Sequence, residues 1–205
     1  MAHNLPRIVS TTDLPTSEAR WITLKKIKYL DEDGKERLWE YAERKTRAKA
    51  AGVDGVAVLA VIRSKTNAFP VSTIVIEQYR PPIGKYIIEL PAGLIDEGET
   101  VETAAIRELR EETGFKADKI LQLSPITVSD PGMTNANMQL AIVSVVLEDK
   151  MEMPEPKLEA GEHIITRVVE LNMLQGTLDD YDKKGFVVDA RLSHFAAGFI
   201  LAQQL

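Results

Sequence analysis

Residues 93–115 read Gly-Leu-Ile-Asp-Glu-Gly-Glu-Thr-Val-Glu-Thr-Ala-Ala-Ile-Arg-Glu-Leu-Arg-Glu-Glu-Thr-Gly-Phe. Within them, Thr100 to Thr113 is predicted to be the best-defined helix of the chain. Val101, Ala105 and Leu109 recur at i, i+4 and i+8, which makes one apolar stripe. Thr100 can cap the start, and Gly114 can end the helix in the left-handed conformation. Glu108 and Glu112 are four residues apart, so their carboxylates lie one turn apart on one side. Glu111 is three from Glu108 and adjacent to Glu112. Like charges at this spacing weaken a helix slightly. Such acids are either a solvated face or a site for a hard cation with oxygen ligands. A glycine-bearing loop opens directly into this helix, and Arg107 sits among the acids. That setting favours the cation site, with Arg107 bracing a carboxylate through its planar fork.

The charge distribution supports the same focus. Between Glu89 and Glu112 there are eight acids and two bases, a net of −6, which equals the formal charge of all 205 residues. The remainder is balanced, so phosphate neutralisation on nucleic acid is not expected. No cysteine is present, which excludes disulfides, thiolate metal sites and cysteine nucleophiles. With three histidines, a His-rich zinc site is not expected either. No apolar run approaches the roughly 20 residues of a spanning helix, and Met1 to Ser10 has no secretory pattern. A reducing compartment is expected, the cytoplasm first, with nucleus or mitochondrion as alternatives.

Working outward, Trp21 to Tyr29 and Lys35 to Arg47 read as two strands around an Asp31-Glu32-Asp33-Gly34 turn. Residues 1–50 hold eleven Lys/Arg against eight Asp/Glu and are expected to form a separate N-terminal β-unit. Residues 51–205 are the main domain. Val53 to Ile62 is nearly continuous apolar sequence, as in a strand buried on both faces. Further strands are predicted at Thr73–Tyr79, Tyr86–Leu90, Ile120–Val128, Met138–Leu147 and His163–Glu170. Leu171–Gln175 is predicted as a short helix and Asp189–Gln203 as a longer one. Strands and helices mix without strict alternation, so the expected class is α/β with a mixed sheet and helices on both faces.

The 93–115 segment resembles the Nudix box, matching it at every specified position and spacing: Gly93, Glu99, Arg107-Glu108, Leu109, Glu111-Glu112, Gly114 and Phe115. The resemblance implies a Nudix-type α/β/α sandwich and a divalent-cation-dependent hydrolase of nucleoside diphosphate derivatives. Three other stretches look like the ADP-ribose pyrophosphatases: Glu89-Leu-Pro-Ala-Gly-Leu94, Gln78-Tyr-Arg80-Pro-Pro82, and Ser129-Asp130-Pro131-Gly132. Pro131 stands 16 residues after Phe115, as in that group. Trp21, Trp39-Glu40 and Arg44 match the eukaryotic ADP-sugar branch, in which an N-terminal β-domain helps to form a homodimer.

What the resemblance implies for each residue follows. Glu108, Glu111 and Glu112, with the carbonyl of Ala92, would hold Mg²⁺, for which Mn²⁺ could substitute. Glu108, Glu112 and Glu162 would be the catalytic acids, with Glu162 as the base on a late loop. Relatives carry a second acid three residues after that base, where this chain has Ile165. Trp21 and Trp39 would stack on adenine from two subunits and Glu40 would accept from its edge. Arg44 and Arg80 suit phosphate recognition. Leu94 and Asp130 would touch the distal part of the substrate. Arg107 and Glu99 are expected to form an internal ion pair. The activity implied is hydrolysis of ADP-ribose or related ADP-sugars to AMP and a sugar phosphate. The alternatives are another Nudix substrate (a GDP-sugar, a dinucleoside polyphosphate or NADH) and a non-catalytic ADP-ribose sensor.

Overall fold

Asp31 closes the first hairpin with its own side chain. Its Oδ1 accepts from the amides of Asp33 (3.1 Å) and Lys35 (2.8 Å), while Gly34 takes φ +72°. The turn joins β1 (Ile22–Leu30) to β2 (Glu36–Arg44) in a two-stranded antiparallel sheet of their own. A computed structural model describes residues 5–47 and 52–205 of the chain. His3 and the expected boundary between residues 50 and 51 lie outside the described residues.

The other strands form one mixed sheet. They are β3 (Gly55–Ser64), β4 (Ser72–Arg80), β5 (Lys85–Glu89), β6 (Ala92–Leu94), β7 (Lys119–Leu123), β8 (Thr127–Val128), β9 (Asn137–Leu147), β10 (Ile164–Glu170) and β11 (Val187–Val188). The main path runs β11-β5-β4-β3-β9-β7, with β10 on β4, β6 on β3 and β8 on β9. β3 is central, parallel to β9 over ten residues, and its apolar run is explained by burial on both sides. Val56, Val58, Ala60 and Ile62 meet helix α1 (Val101–Thr113) through Ala104, Ala105 and Leu109. On the opposite face Leu59 joins Val75 and Ile88 against α2 (Leu174–Lys183) and α3 (Ala190–Gln204). The α/β/α layering with helices on both faces is therefore as expected.

Three local expectations are corrected. The single strand expected over 120–128 is two, β7 and β8. Pro125 lies between them and has no N–H to offer a ladder. The loop expected after Pro91 contains β6, which pairs with β3 at Ala57↔Ala92. The short helix at 171–175 is a 3₁₀ turn, Leu171–Met173, that runs on into α2. Leu174, Leu178 and Tyr181 give α2 its buried stripe, but Gly176 and three aspartates obscure it in the sequence. β11 has two residues, too few for a periodic signal.

The hairpin is tied to the main sheet mostly through residues 132–135. Trp39 Nε1 donates to the Gly132 carbonyl (2.9 Å), the Ala42 amide to Met133 (2.9 Å), and Asn135 Nδ2 to Glu43 (3.0 Å). Arg47 forks onto buried Asp54 (2.9 and 2.7 Å) at the entrance to β3. Trp21, Leu24 and Leu38 remain 70, 66 and 61% exposed, so the hairpin presents apolar surface that the other described residues do not cover. Leu109, by contrast, has no exposed surface at the α1–sheet contact. Leu109→Ala should cost about 3 kcal/mol through lost burial and a residual cavity, measured by denaturant unfolding.

Candidate active site

The loop-to-helix entry is built by one guanidinium. Arg107 Nε and Nη2 fork onto the two oxygens of Glu99 (3.0 and 2.9 Å), and Nη2 also donates to the Leu94 carbonyl (2.9 Å). Arg107 Nη1 reaches Glu108 (2.7 Å) and Glu111 (3.1 Å). The expected Glu99–Arg107 pair is thus part of a larger clamp that binds loop and helix together. Arg107 holds the Glu99 carboxyl below the usual carboxylate range, despite partial burial. Thr100 accepts from the Thr103 amide at the helix start, and the Gly114 amide donates to the Arg110 carbonyl in the left-handed conformation.

Packing brings the helix acids against β6. A Cβ on Gly93 would stand 1.8 Å from Glu108 Oε1, so glycine is what lets that carboxylate lie on the strand. Glu112 is 4% exposed, and its Oε2 accepts the Ala92 amide (2.9 Å). Burial pushes the Glu112 carboxyl up to about 8; the Ala92 amide opposes this, and Glu108, Glu162 and Glu89 add to it through their charge. Burial also raises Glu108, against the pull of Arg107 and with help from the charges of Glu111 and Glu162. Five carboxylates therefore share one electrostatic neighbourhood, and Glu112 has no cationic partner among the described residues.

Among the described residues, no three His, Asp or Glu side chains already converge as a ligand set. Arg107 explains this, since it occupies oxygens of both Glu108 and Glu111. The donor chemistry nevertheless suits a hard cation. The available atoms are carboxylate and carbonyl oxygens, and the desolvated negative charge is under-compensated.

A cleft of about 720 Å³ opens on the other side of β6. Arg44, Arg80, Ala92, Gly93, Leu94 and Asp130 line it, so the structure brings together five of the predicted site residues around the backbone of the glycine loop. Arg80 is held from behind by buried Glu89, through Nε (2.9 Å) and Nη2 (2.8 Å). Glu108 and Glu112 are not on the cleft wall but directly behind Gly93 and Ala92. Glu111 lines a shallower hollow of about 560 Å³ over the outer flank of α1, with Arg107, Arg110 and Lys157.

Other predicted residues stand apart from the cleft. Trp21, Trp39 and Glu40 do not line it; Trp39 is committed to Gly132, and Glu40 pairs with Lys26 at 3.8 Å. Glu162 is turned onto its own loop, where its Oε2 accepts the Glu159 amide (3.0 Å). Sequence reasoning missed Asp54, Asn137, Asp189 and Arg191 on the cleft wall. A signal existed for Asp189 alone, an aspartate at the first position of a predicted helix and hence a candidate cap. Asn137 and Asp54 exchange bonds across the entrances of β3 and β9 (2.9 Å each way), a pairing between residues 83 apart that no local pattern announces.

The NUDIX domain model matches residues 53–188. An uncharacterized Nudix hydrolase of Schizosaccharomyces pombe is 42% identical over 94% of this chain and 92% of its own length. The ADP-ribose pyrophosphatase of Saccharomyces cerevisiae is 42% identical over 92% of this chain and 81% of its own. The ADP-sugar pyrophosphatase of Mus musculus is 35% identical over 93% and 86%. A crystal structure of an ADP compounds hydrolase superposes with a TM-score of 0.58 at 22% identity, covering 98% of this chain and 94% of that one, which shows a shared fold. With its domain match, its near full-length relatives and a loop–helix of the expected geometry, this chain belongs to the Nudix hydrolase family.

Proposed function

We propose that the protein hydrolyses the diphosphate bond of ADP-ribose and related ADP-sugars, giving AMP and a sugar phosphate. The observation that carries this reading is the cleft beside the buried acids of α1. It is lined by arginines suited to phosphates and floored by the Ala92–Gly93 backbone. The names of the yeast and mouse relatives support the substrate class.

Nudix hydrolases generally use a divalent metal. Magnesium is the ion proposed here, held by Glu108, Glu111, Glu112 and the Ala92 carbonyl. When bound, it supplies charge neutralisation at the diphosphate and a more acidic water. The chain's own residues do the rest. Arg80, stiffened by Glu89, and Arg44 bind and orient the phosphates. Leu94 and Asp130 contact the distal sugar at the same cleft. Water adds to one phosphorus, the bridging P–O bond breaks, and the leaving phosphate carries away the electron pair. Glu162 accepts the proton of that water after leaving the Glu159 amide. Gly93 keeps Glu108 in place, since any side chain there would drive the carboxylate away.

The exposed hairpin completes the proposal. A second copy of the chain would cover Trp21, Leu24 and Leu38, and Trp21, Trp39 and Glu40 would reach a substrate adenine in a cleft shared between subunits. The compartment we infer is a reducing one such as the cytoplasm, in keeping with a sequence that contains no cysteine. Among the described residues, no helix is long and apolar enough to cross a membrane.

Incubation with ADP-ribose and Mg²⁺ should yield AMP and ribose 5-phosphate by chromatography; no AMP from neutral to alkaline pH would sink the reading. Glu112→Gln should lower kcat by more than the roughly 10–100-fold typical of losing an outer-shell partner, with the fold retained by circular dichroism. Light scattering should report a homodimer. A monomer at assay concentration would remove the shared adenine site while leaving the cleft chemistry intact.

A further inference from the structure

The reading above makes no use of the ion pair at the start of α3. Asp189 Oδ1 caps that helix, accepting the amides of Arg191 (3.0 Å) and Leu192 (3.2 Å), and the Asp189 amide donates to the Ile88 carbonyl (3.0 Å). The residue is thereby fixed beside β5 on the cleft wall. Arg191 folds back onto it, with Nε donating to both carboxylate oxygens (3.0 and 3.2 Å) and Nη2 to Oδ2 (2.7 Å).

A guanidinium has five N–H donors in a rigid fork. Asp189 satisfies one edge of this one. Among the described residues, Nη1 meets only the thioether of Met138, a weak acceptor. The Arg191 side chain is 39% exposed and, like Arg80, lines the cleft. Two of the three arginines on the cleft wall are thus held from behind by an acid, Glu89 for Arg80 and Asp189 for Arg191. Capping α3 needs Asp189 alone, so the cap does not account for the arginine or for its open edge. A fork already immobilised loses little further freedom on meeting a planar pair of phosphate oxygens.

We propose that Arg191 is a third phosphate-binding arginine of the cleft, engaging the substrate diphosphate together with Arg80 and Arg44, and that Asp189 is its positioning residue. The proposal rests on the diphosphatase reading. It also makes the last helix of the chain part of the substrate site.

Steady-state kinetics on ADP-ribose with Mg²⁺ tests it, alongside calorimetric titration of inorganic pyrophosphate into the metal-free protein. In Arg191→Gln, KM should rise about tenfold with kcat within about threefold, the pattern of lost uniform binding. Pyrophosphate binding should weaken by about the same factor, and its salt dependence should become shallower by about one contact, since a charge pair is lost. Asp189→Asn keeps the cap oxygen and frees the fork, so it should raise KM less and leave kcat alone. Arg191→Lys keeps the charge and decides the matter if the glutamine variant melts early. An unchanged KM, or a lower kcat and Tm with KM and salt dependence unchanged, assigns Arg191 to structure and overturns the proposal. Native protein that binds no pyrophosphate overturns it too. Native protein that does not cleave ADP-ribose, yet loses pyrophosphate affinity in Arg191→Gln, overturns the substrate reading and keeps this assignment. Cleavage of ADP-ribose with pyrophosphate affinity unchanged in the variant does the reverse.

Discussion

Arg107 is the interaction on which the site depends. One guanidinium closes the glycine loop through Glu99 and Leu94 and restrains two acids of α1, Glu108 and Glu111. Burying carboxylates is costly unless each is paired or hydrogen-bonded. Arg107 compensates only part of the set. Glu112 lies beyond its reach, almost fully buried, with a backbone amide for company and other acids nearby. The α1–sheet contact, with Leu109 and Phe115 at its centre, supplies the apolar burial that offsets this tension. The fold holds together a charge arrangement that is unfavourable by itself and that the proposed cation would relieve.

How the chain reaches that arrangement explains what could be read in advance. The α1 stripe, its Thr100 cap and its Gly114 terminator are local and periodic, so the sequence displays them plainly. The same holds for β3, whose unbroken apolar run signals burial on both faces. The loop–helix acids were legible because their spacing places them on one side of a single element. Elements without a period of their own were hidden. β6 and β11 exist because neighbouring strands offer them a ladder, and α2 is masked by Gly176 and a run of aspartates.

The cleft divides along the same line. Arg80, Leu94 and Asp130 sit in short runs that can be recognised, and the fold gathers them. Arg191 and Asp54 reach the cleft through chain distances that no local pattern encodes. Trp21, Trp39 and Glu40 resist assignment for another reason. They sit on a hairpin whose apolar side the other described residues leave open, away from the cleft wall, so nothing in the cleft itself marks them. The acidic charge of the sequence also takes on a specific meaning. It is concentrated in one loop–helix, part is cancelled by Arg107, and the buried remainder is what a divalent cation would neutralise.

Burial and the neighbouring acids push the Glu112 carboxyl up to about 8, which favours its protonated form at pH 7. A carboxylate must lose that proton to become a ligand, so cation binding and proton release are linked. The direct measurement is calorimetric titration of Mg²⁺ at pH 7 in buffers of different ionisation heat, compared with the same titration at pH 9. The account predicts release of about one proton per site at pH 7 and almost none at pH 9, tighter binding at the higher pH, and no pH 7 release from Glu112→Gln. Mg²⁺ binding at pH 7 without proton release, equally strong at both pH values and in Glu112→Gln, would contradict it.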